Sequence, residues 1–235
     1  MLRAISFLCL AAAVYATPVL QEMTTLASTL EEVSTLPDGF VPAYCHKRYT
    51  DVITDTTGWG AQALVQAPVK CFENEALSQF KLVANVTKNT FRYEYTCCAV
   101  GSYGGRVGIS QTFERSTSFD SEGAGSDLRY LERHDINCGP LLSSNDSNHY
   151  TITGFGVEAR DAMIRYKYQC AHLFKPLVCK DKETKWDVES EDIQFLDRHD
   201  VACPANEYIG RFQYVKDRST GVGFTQFKIK YTCCA

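Results

Sequence analysis

The chain has 235 residues, 45% of them hydrophobic, and a formal net charge of −4 with a pI near 5.8. That acidic balance argues against electrostatic binding to nucleic acid. Beyond the first residues no apolar run approaches the 18 residues of a membrane span, so none is expected.

The N-terminus, MLRAISFLCLAAAVYA, places one basic residue, Arg3, ahead of an apolar run too short for a bilayer. Val14 and Ala16 occupy the small-residue positions of a signal-peptidase site, so residues 1–16 read as a signal peptide, the alternative being a buried N-terminal helix. Residues 17–44 are rich in Thr, Ser and Glu. Leu20, Met23, Leu26, Leu30, Val33 and Leu36 fall at helix spacing there, although the threonines weaken it. A leader, a propeptide or a short docking helix would each fit. Cys9 departs with the signal, and the ten cysteines that remain read as the disulfide framework of a secreted protein. Neither CxxC pairs nor clustered histidines stand against that reading, so no metal and no cofactor is expected. Asn85-Val-Thr and Asn145-Asp-Ser are N-glycosylation sequons.

From about residue 60 the chain repeats itself. LRYLERHDINC (128–138) and IQFLDRHDVAC (193–203) share five identities and four conservative changes over eleven positions, and AQALVQAPVKC (61–71) takes their place in the first copy. A second strand follows each: LSQFKL from Leu77, ITGFGV from Ile152 and IGRFQY from Ile209. In the middle copy it comes after an inserted GPLLSSNDSNHY, whose glycan acceptor Asn145 belongs on a surface loop. A third strand closes each copy: FRYEYTCC (91–98), IRYKYQC (164–170) and FKIKYTCC (227–234). About three strands per copy, rich in aromatic and β-branched residues, predict an all-β domain over 45–235 with pseudo-threefold symmetry, β-prism-like or trefoil-like. The copies span about 45–100, 110–172 and 173–235, and no copy alone could bury its apolar face.

Side chains alternate across a strand. Phe91, Tyr93, Tyr95 and Cys97 therefore form a core face, with Ile164, Tyr166, Tyr168 and Cys170, and Phe227, Ile229, Tyr231 and Cys233, as its counterparts. Arg92, Glu94, Thr96 and Cys98 face the other way, a side expected to be solvated. Adjacent cysteines on a strand point apart and should find separate partners. The core-facing cysteine and the cysteine before the second strand occur in every copy, which pairs Cys71–Cys97, Cys138–Cys170 and Cys203–Cys233. The outward cysteine occurs only where an extra upstream cysteine also occurs, which proposes Cys45–Cys98 and Cys179–Cys234.

Arg133-His134-Asp135 and Arg198-His199-Asp200 are the only recurring polar triplets, candidates for a ligand site used twice or for ion pairs that tie a turn ahead of each disulfide. Arg92, Arg165, Lys167, Lys228 and Lys230 form cationic rows that could meet sulfated glycans or could simply be a solvated strand face. No nucleophile or metalloprotease motif surrounds His46, His134, His149, His172 or His199, so catalysis is not expected. GSYGGRVG (101–108) precedes no helix pattern and reads as a loop rather than a phosphate cradle.

Ile152-Thr-Gly-Phe155 and Tyr93-Glu-Tyr-Thr-Cys-Cys98, in three copies with a five-bridge cysteine count, resemble the dermatopontin family of extracellular-matrix and lectin-like proteins over about residues 45–235. Tyr93, Tyr166 and Ile229 stand where that family carries Trp. The resemblance implies a secreted binding or structural protein that engages glycans, proteoglycans or matrix proteins. A defence lectin or toxin-like protein is the alternative reading, and a hydrolase the last.

Overall fold

The computed structural model describes residues 44–102, 108–120, 128–139, 149–161, 163–188, 192–217 and 226–235. The signal, the leader and the Asn145 sequon lie outside these residues. Three antiparallel hairpins form the framework: β4 (Glu75–Asn85) with β5 (Thr90–Ala99), β8 (Tyr150–Arg160) with β9 (Met163–Leu173), and β13 (Tyr208–Lys216) with β14 (Gln226–Cys234). Each corresponds to a second and third strand expected from alternation, with the aromatic face inward.

Every hairpin gains an edge strand along its closing strand. β1 (Cys45–Tyr49) pairs with β5, β6 (Ile109–Ser116) with β9, and β10 (Cys179–Glu183) with β14. Two two-residue strands, β2 (Ile53–Thr54) and β11 (Asp187–Val188), extend β5 and β14 at their other ends. With these edge strands each hairpin belongs to a sheet of four or five strands. The turn between an edge strand and the next segment is fixed by a threonine in each sheet. Thr50, Thr117 and Thr184 donate their amides to the carbonyls of Tyr93, Tyr166 and Ile229 at 3.0, 2.9 and 2.9 Å. Their hydroxyl oxygens accept the amides of the same three residues at 3.0, 3.0 and 2.9 Å.

The segments ahead of Cys71, Cys138 and Cys203 are mostly 3-10 turns, over Ala61–Gln66, Leu128–Arg133 and Ile193–Arg198. Ala61 with Leu64, and Ile193 with Leu196, are buried pairs three residues apart, which a 3-10 turn stacks on one side. A short strand follows each turn and pairs with a different hairpin from its own: β3 (Val69–Lys70) with β8, β7 (Asp135–Asn137) with β13, and β12 (Val201–Ala202) with β4. The sheets are thereby linked in a ring, the last short strand returning to the first hairpin. Tyr95, Tyr168 and Tyr231 donate hydroxyl hydrogen bonds to the carbonyls of Lys70, Asn137 and Ala202 at 3.2, 3.3 and 3.2 Å, holding each short strand down.

The core centres on Phe80, Phe155 and Phe212, one per hairpin, with ring centroids 4.9, 4.8 and 5.0 Å apart. Beside them lie Tyr93, Tyr166 and Tyr214, all buried. Their cross-strand neighbours are Leu82, Val157 and Ile229, so each hairpin supplies one tyrosine and one aliphatic residue although the third places its tyrosine on the opposite strand. Gly154 is required by the ring of sheets, because a Cβ there would lie 2.7 Å from the Val69 carbonyl oxygen. At Gly156 it would press on Pro68.

Five disulfides staple this frame: Cys71–Cys97, Cys138–Cys170 and Cys203–Cys233 in the core, and Cys45–Cys98 and Cys179–Cys234 between directly opposed residues of edge and closing strands. Cys98 and Cys234 do not face solvent, as alternation alone suggested. With Ala76, Ala171, Leu173, Leu177 and Tyr208 they form a second small apolar cluster that covers the far side of the strands at that end. Among the described residues no helix is long and apolar enough to cross a membrane.

Candidate functional site

The two Arg-His-Asp triplets begin where a 3-10 turn ends, and the change to strand geometry sends their side chains in different directions. Arg133 pairs with Asp120 at 2.9 Å and Arg198 with Asp187 at 2.7 Å. Asp135 pairs with Arg211 at 2.7 Å, and Asp200 accepts from the Gln79 amide at 2.9 Å, both partners standing on the neighbouring hairpin. His134 and His199 point inward and are 2% exposed. His199 sets Nδ1 2.7 Å from the Thr184 hydroxyl and packs on Phe227, while His134 meets Tyr166 edge-on. The Nε2 atoms of both are buried without a hydrogen-bond partner. Burial disfavours the charged imidazolium, lowering His134 below its ordinary range and His199 to about 4. Each triplet thus joins a turn, a core and an adjacent sheet, its three side chains reaching three different partners.

Four of the five cations in the rows are matched by carboxylates. Arg92 meets Glu94 at 2.8 Å, Arg165 meets Glu158 at 2.7 Å, Lys167 meets Glu114 at 3.1 Å and Lys228 meets Glu183 at 2.6 Å. Arg92, Arg165 and Lys228 also lie over the rings of Tyr49, Phe119 and Trp186 at 4.4, 4.3 and 4.4 Å. Lys228 is 7% exposed, far from the solvated position its outward parity suggests. Lys47 and Arg92 hold Glu94 below the usual carboxylate range, and Lys228 does the same to Glu183. Cys71, Glu75 and Cys97 come together as a metal site might, yet both sulfurs are in one disulfide and Glu75 takes Arg48 at 2.8 Å.

A trough of about 720 Å³ lies on the outer face of β10, β14 and β13. Asp181 and Glu183 form one wall, Lys230 and Thr232 the floor, and Arg211 and Gln213 the other side. Outward parity places these residues there, since their neighbours Phe212, Tyr214, Ile229 and Tyr231 are in the core. Thr232 donates to Asp181 at 2.8 Å, and Gln213 donates to the Glu132 carbonyl at 3.3 Å, so the lining is pre-ordered. Arg133 also lines the trough. It lines a second depression as well, a shelf of about 380 Å³ formed by Thr117–Asp120 and Arg133–Asp135. Of the candidate residues, Arg133, His134, Asp135 and Lys230 line these depressions; Asp181, Glu183, Arg211, Gln213 and Thr232 were missed. The signal for Arg211, Gln213 and Thr232 was the polar alternation of IGRFQYVK and FKIKYTCC, whereas CKDKE carries none.

Compared with known proteins, the sequence matches no protein-family model and no curated protein.

Proposed function

We propose that this is a secreted, non-catalytic binding protein of the extracellular matrix or cell surface, built from three copies of one unit, that engages glycans, proteoglycans or matrix proteins. The observation that carries this reading is the trough: a pre-ordered polar surface, lined by donors and acceptors of both charges, on a frame held by five disulfides. A surface of that kind recognises hydroxyl-rich ligands by many modest hydrogen bonds, without reorganising its side chains. Ionised Glu183, held by Lys228, is a hydrogen-bond acceptor and unsuited to act as a general acid near neutral pH. The three-unit reading is supported by the matched threonine clamps, the phenylalanine triangle and the three tyrosine–carbonyl bonds. The resemblance to dermatopontins and the sequons at Asn85 and Asn145 support placement outside the cell. Asn85 is exposed at the end of β4, open to a glycan.

A glycan array and immobilised matrix proteins, probed with the secreted protein, test this. Binding that Arg211→Ala and Lys230→Ala both weaken at unchanged unfolding midpoint is expected. Failure to retain any glycan or matrix component would overturn the reading, and hydrolysis of an array glycan would replace it with an enzyme.

A further inference from the structure

The trough and the shelf are joined through shared residues. Arg133 lines both, and its partner Asp120 belongs to the shelf. Arg211 lines the trough, and its partner Asp135 belongs to the shelf. Two ion pairs thus bridge the boundary side by side, making a polar saddle between two open depressions. The trough runs along β13 from Arg211 to Lys216, roughly 17 Å at 3.3 Å per strand residue. The shelf lies alongside it, because β7 sets Asp135 opposite Gln213, so the combined surface continues across the strands from β10 past β13 to β7.

Its charge is balanced. The basic lining residues are Arg133, Lys182, Arg211, Lys216 and Lys230. The acidic ones are Glu132, Asp181 and Glu183 in the trough and Asp120 and Asp135 on the shelf, five against five. A polyanion gains its affinity from an excess of cations over neighbouring carboxylates, and this surface has none. It offers instead carboxylates that accept from hydroxyls and Lys, Arg, Gln and Thr groups that donate to ring and glycosidic oxygens.

We propose that one extended, uncharged, hydroxyl-rich glycan chain occupies trough and shelf together, crossing the Arg133–Asp120 and Arg211–Asp135 pairs. This rests on the glycan-binding reading above and specifies its ligand class. The test uses the intact secreted protein with two size-graded neutral series, β1,4-linked N-acetylglucosamine oligomers and β1,3-linked glucose oligomers, each from one to six sugars, with heparin as the anionic comparison. For at least one neutral series affinity should rise about tenfold or more between two and six sugars, with little change when salt is raised, since no net charge is neutralised. Arg133→Ala should reduce the hexamer's advantage while leaving dimer affinity within about twofold, and Glu158→Gln on another sheet should leave both unchanged. Equal affinity for dimer and hexamer would overturn the spanning mode but leave glycan binding intact. Heparin binding that salt abolishes, with neither neutral series bound, would overturn the uncharged class and again spare the broader reading. The length series on the unmutated protein decides the matter even if Arg133→Ala misfolds.

Discussion

His199 shows how a residue that looks functional in the sequence is used structurally. Folding holds its pKa near 4 against an ordinary 6.5, with His134 shifted in the same direction, so the unfolded chain takes up protons that the folded chain refuses. For His199, stability from neutral burial is present above about pH 6.5 and falls as pH drops toward 4, by up to about 1.4 kcal/mol per pH unit, and His134 adds to the loss in the same direction. Urea midpoints at about pH 7 and pH 5 should therefore differ in the natural protein. In His199→Phe, whose ring can sit against Phe227 and has no proton to bind, the difference should shrink; an unchanged difference would assign the acid sensitivity to other groups. Gly154 gives a second test at this scale. Its missing Cβ leaves room for the Val69 carbonyl, so Gly154→Ala must push β3 off β8 and should cost about 1–3 kcal/mol in chemical denaturation. Gly101→Ala, where a Cβ meets nothing within 4 Å, is the matched control. The sequence carried the Gly-Phe pair but not its reason, because the backbone that crowds Gly154 comes from β3, far earlier in the chain.

At the scale of elements, the two kinds of disulfide should separate on reduction. Cys45 is exposed and Cys179 half-buried, each on an edge strand, whereas Cys71–Cys97 and Cys138–Cys170 are sealed in the core. Thiol attack requires access to sulfur. Brief treatment with limiting reductant, followed by alkylation and peptide mapping, should label Cys45, Cys98, Cys179 and Cys234 before Cys71, Cys97, Cys138 or Cys170; the reverse order would contradict this account of exposure. Hairpin strands were legible because burial on one face writes a period of two, and that alternation also separates Cys97 from Cys98. Edge strands such as CHKRY and CKDKE were not, since exposed edges carry no apolar alternation and Lys is common on them. The 3-10 turns were hidden because six residues with two or three buried positions fit a strand as readily. The basic rows were legible as residue types, but their neutralisation was not: Glu114, Glu158 and Glu183 arrive from β6, β8 and β10, and only Arg92–Glu94 lies within one strand. The trough escaped notice because one wall is the edge strand β10, which carries no alternation, and Glu132 and Arg133 reach it from an earlier turn.

For the whole molecule, the ring of sheets makes the domain dependent on its last strands. β12 completes the sheet of β4 and β5, and the core triangle takes one phenylalanine from each hairpin. No hairpin then closes the core alone, and unfolding with disulfides intact should be a single cooperative transition. Phe80→Ala, Phe155→Ala and Phe212→Ala should each cost about 3–5 kcal/mol, being buried rings that leave a cavity with little freedom to collapse. Because every pair of these rings is in contact, double substitutions should depart from additivity by about 0.5 kcal/mol or more, while Phe80→Ala combined with a change at exposed Val178 should add simply. Ending the chain after Leu173 removes Phe212, β12 and every strand of the third sheet except β7. Such a fragment keeps both earlier hairpins and their disulfides, yet the first sheet loses a strand and the triangle a side. It should lack a sharp thermal or urea transition and expose apolar surface to a hydrophobic dye. A cooperative transition in that fragment would mean the first two sheets fold on their own and that the third is an appendage to them.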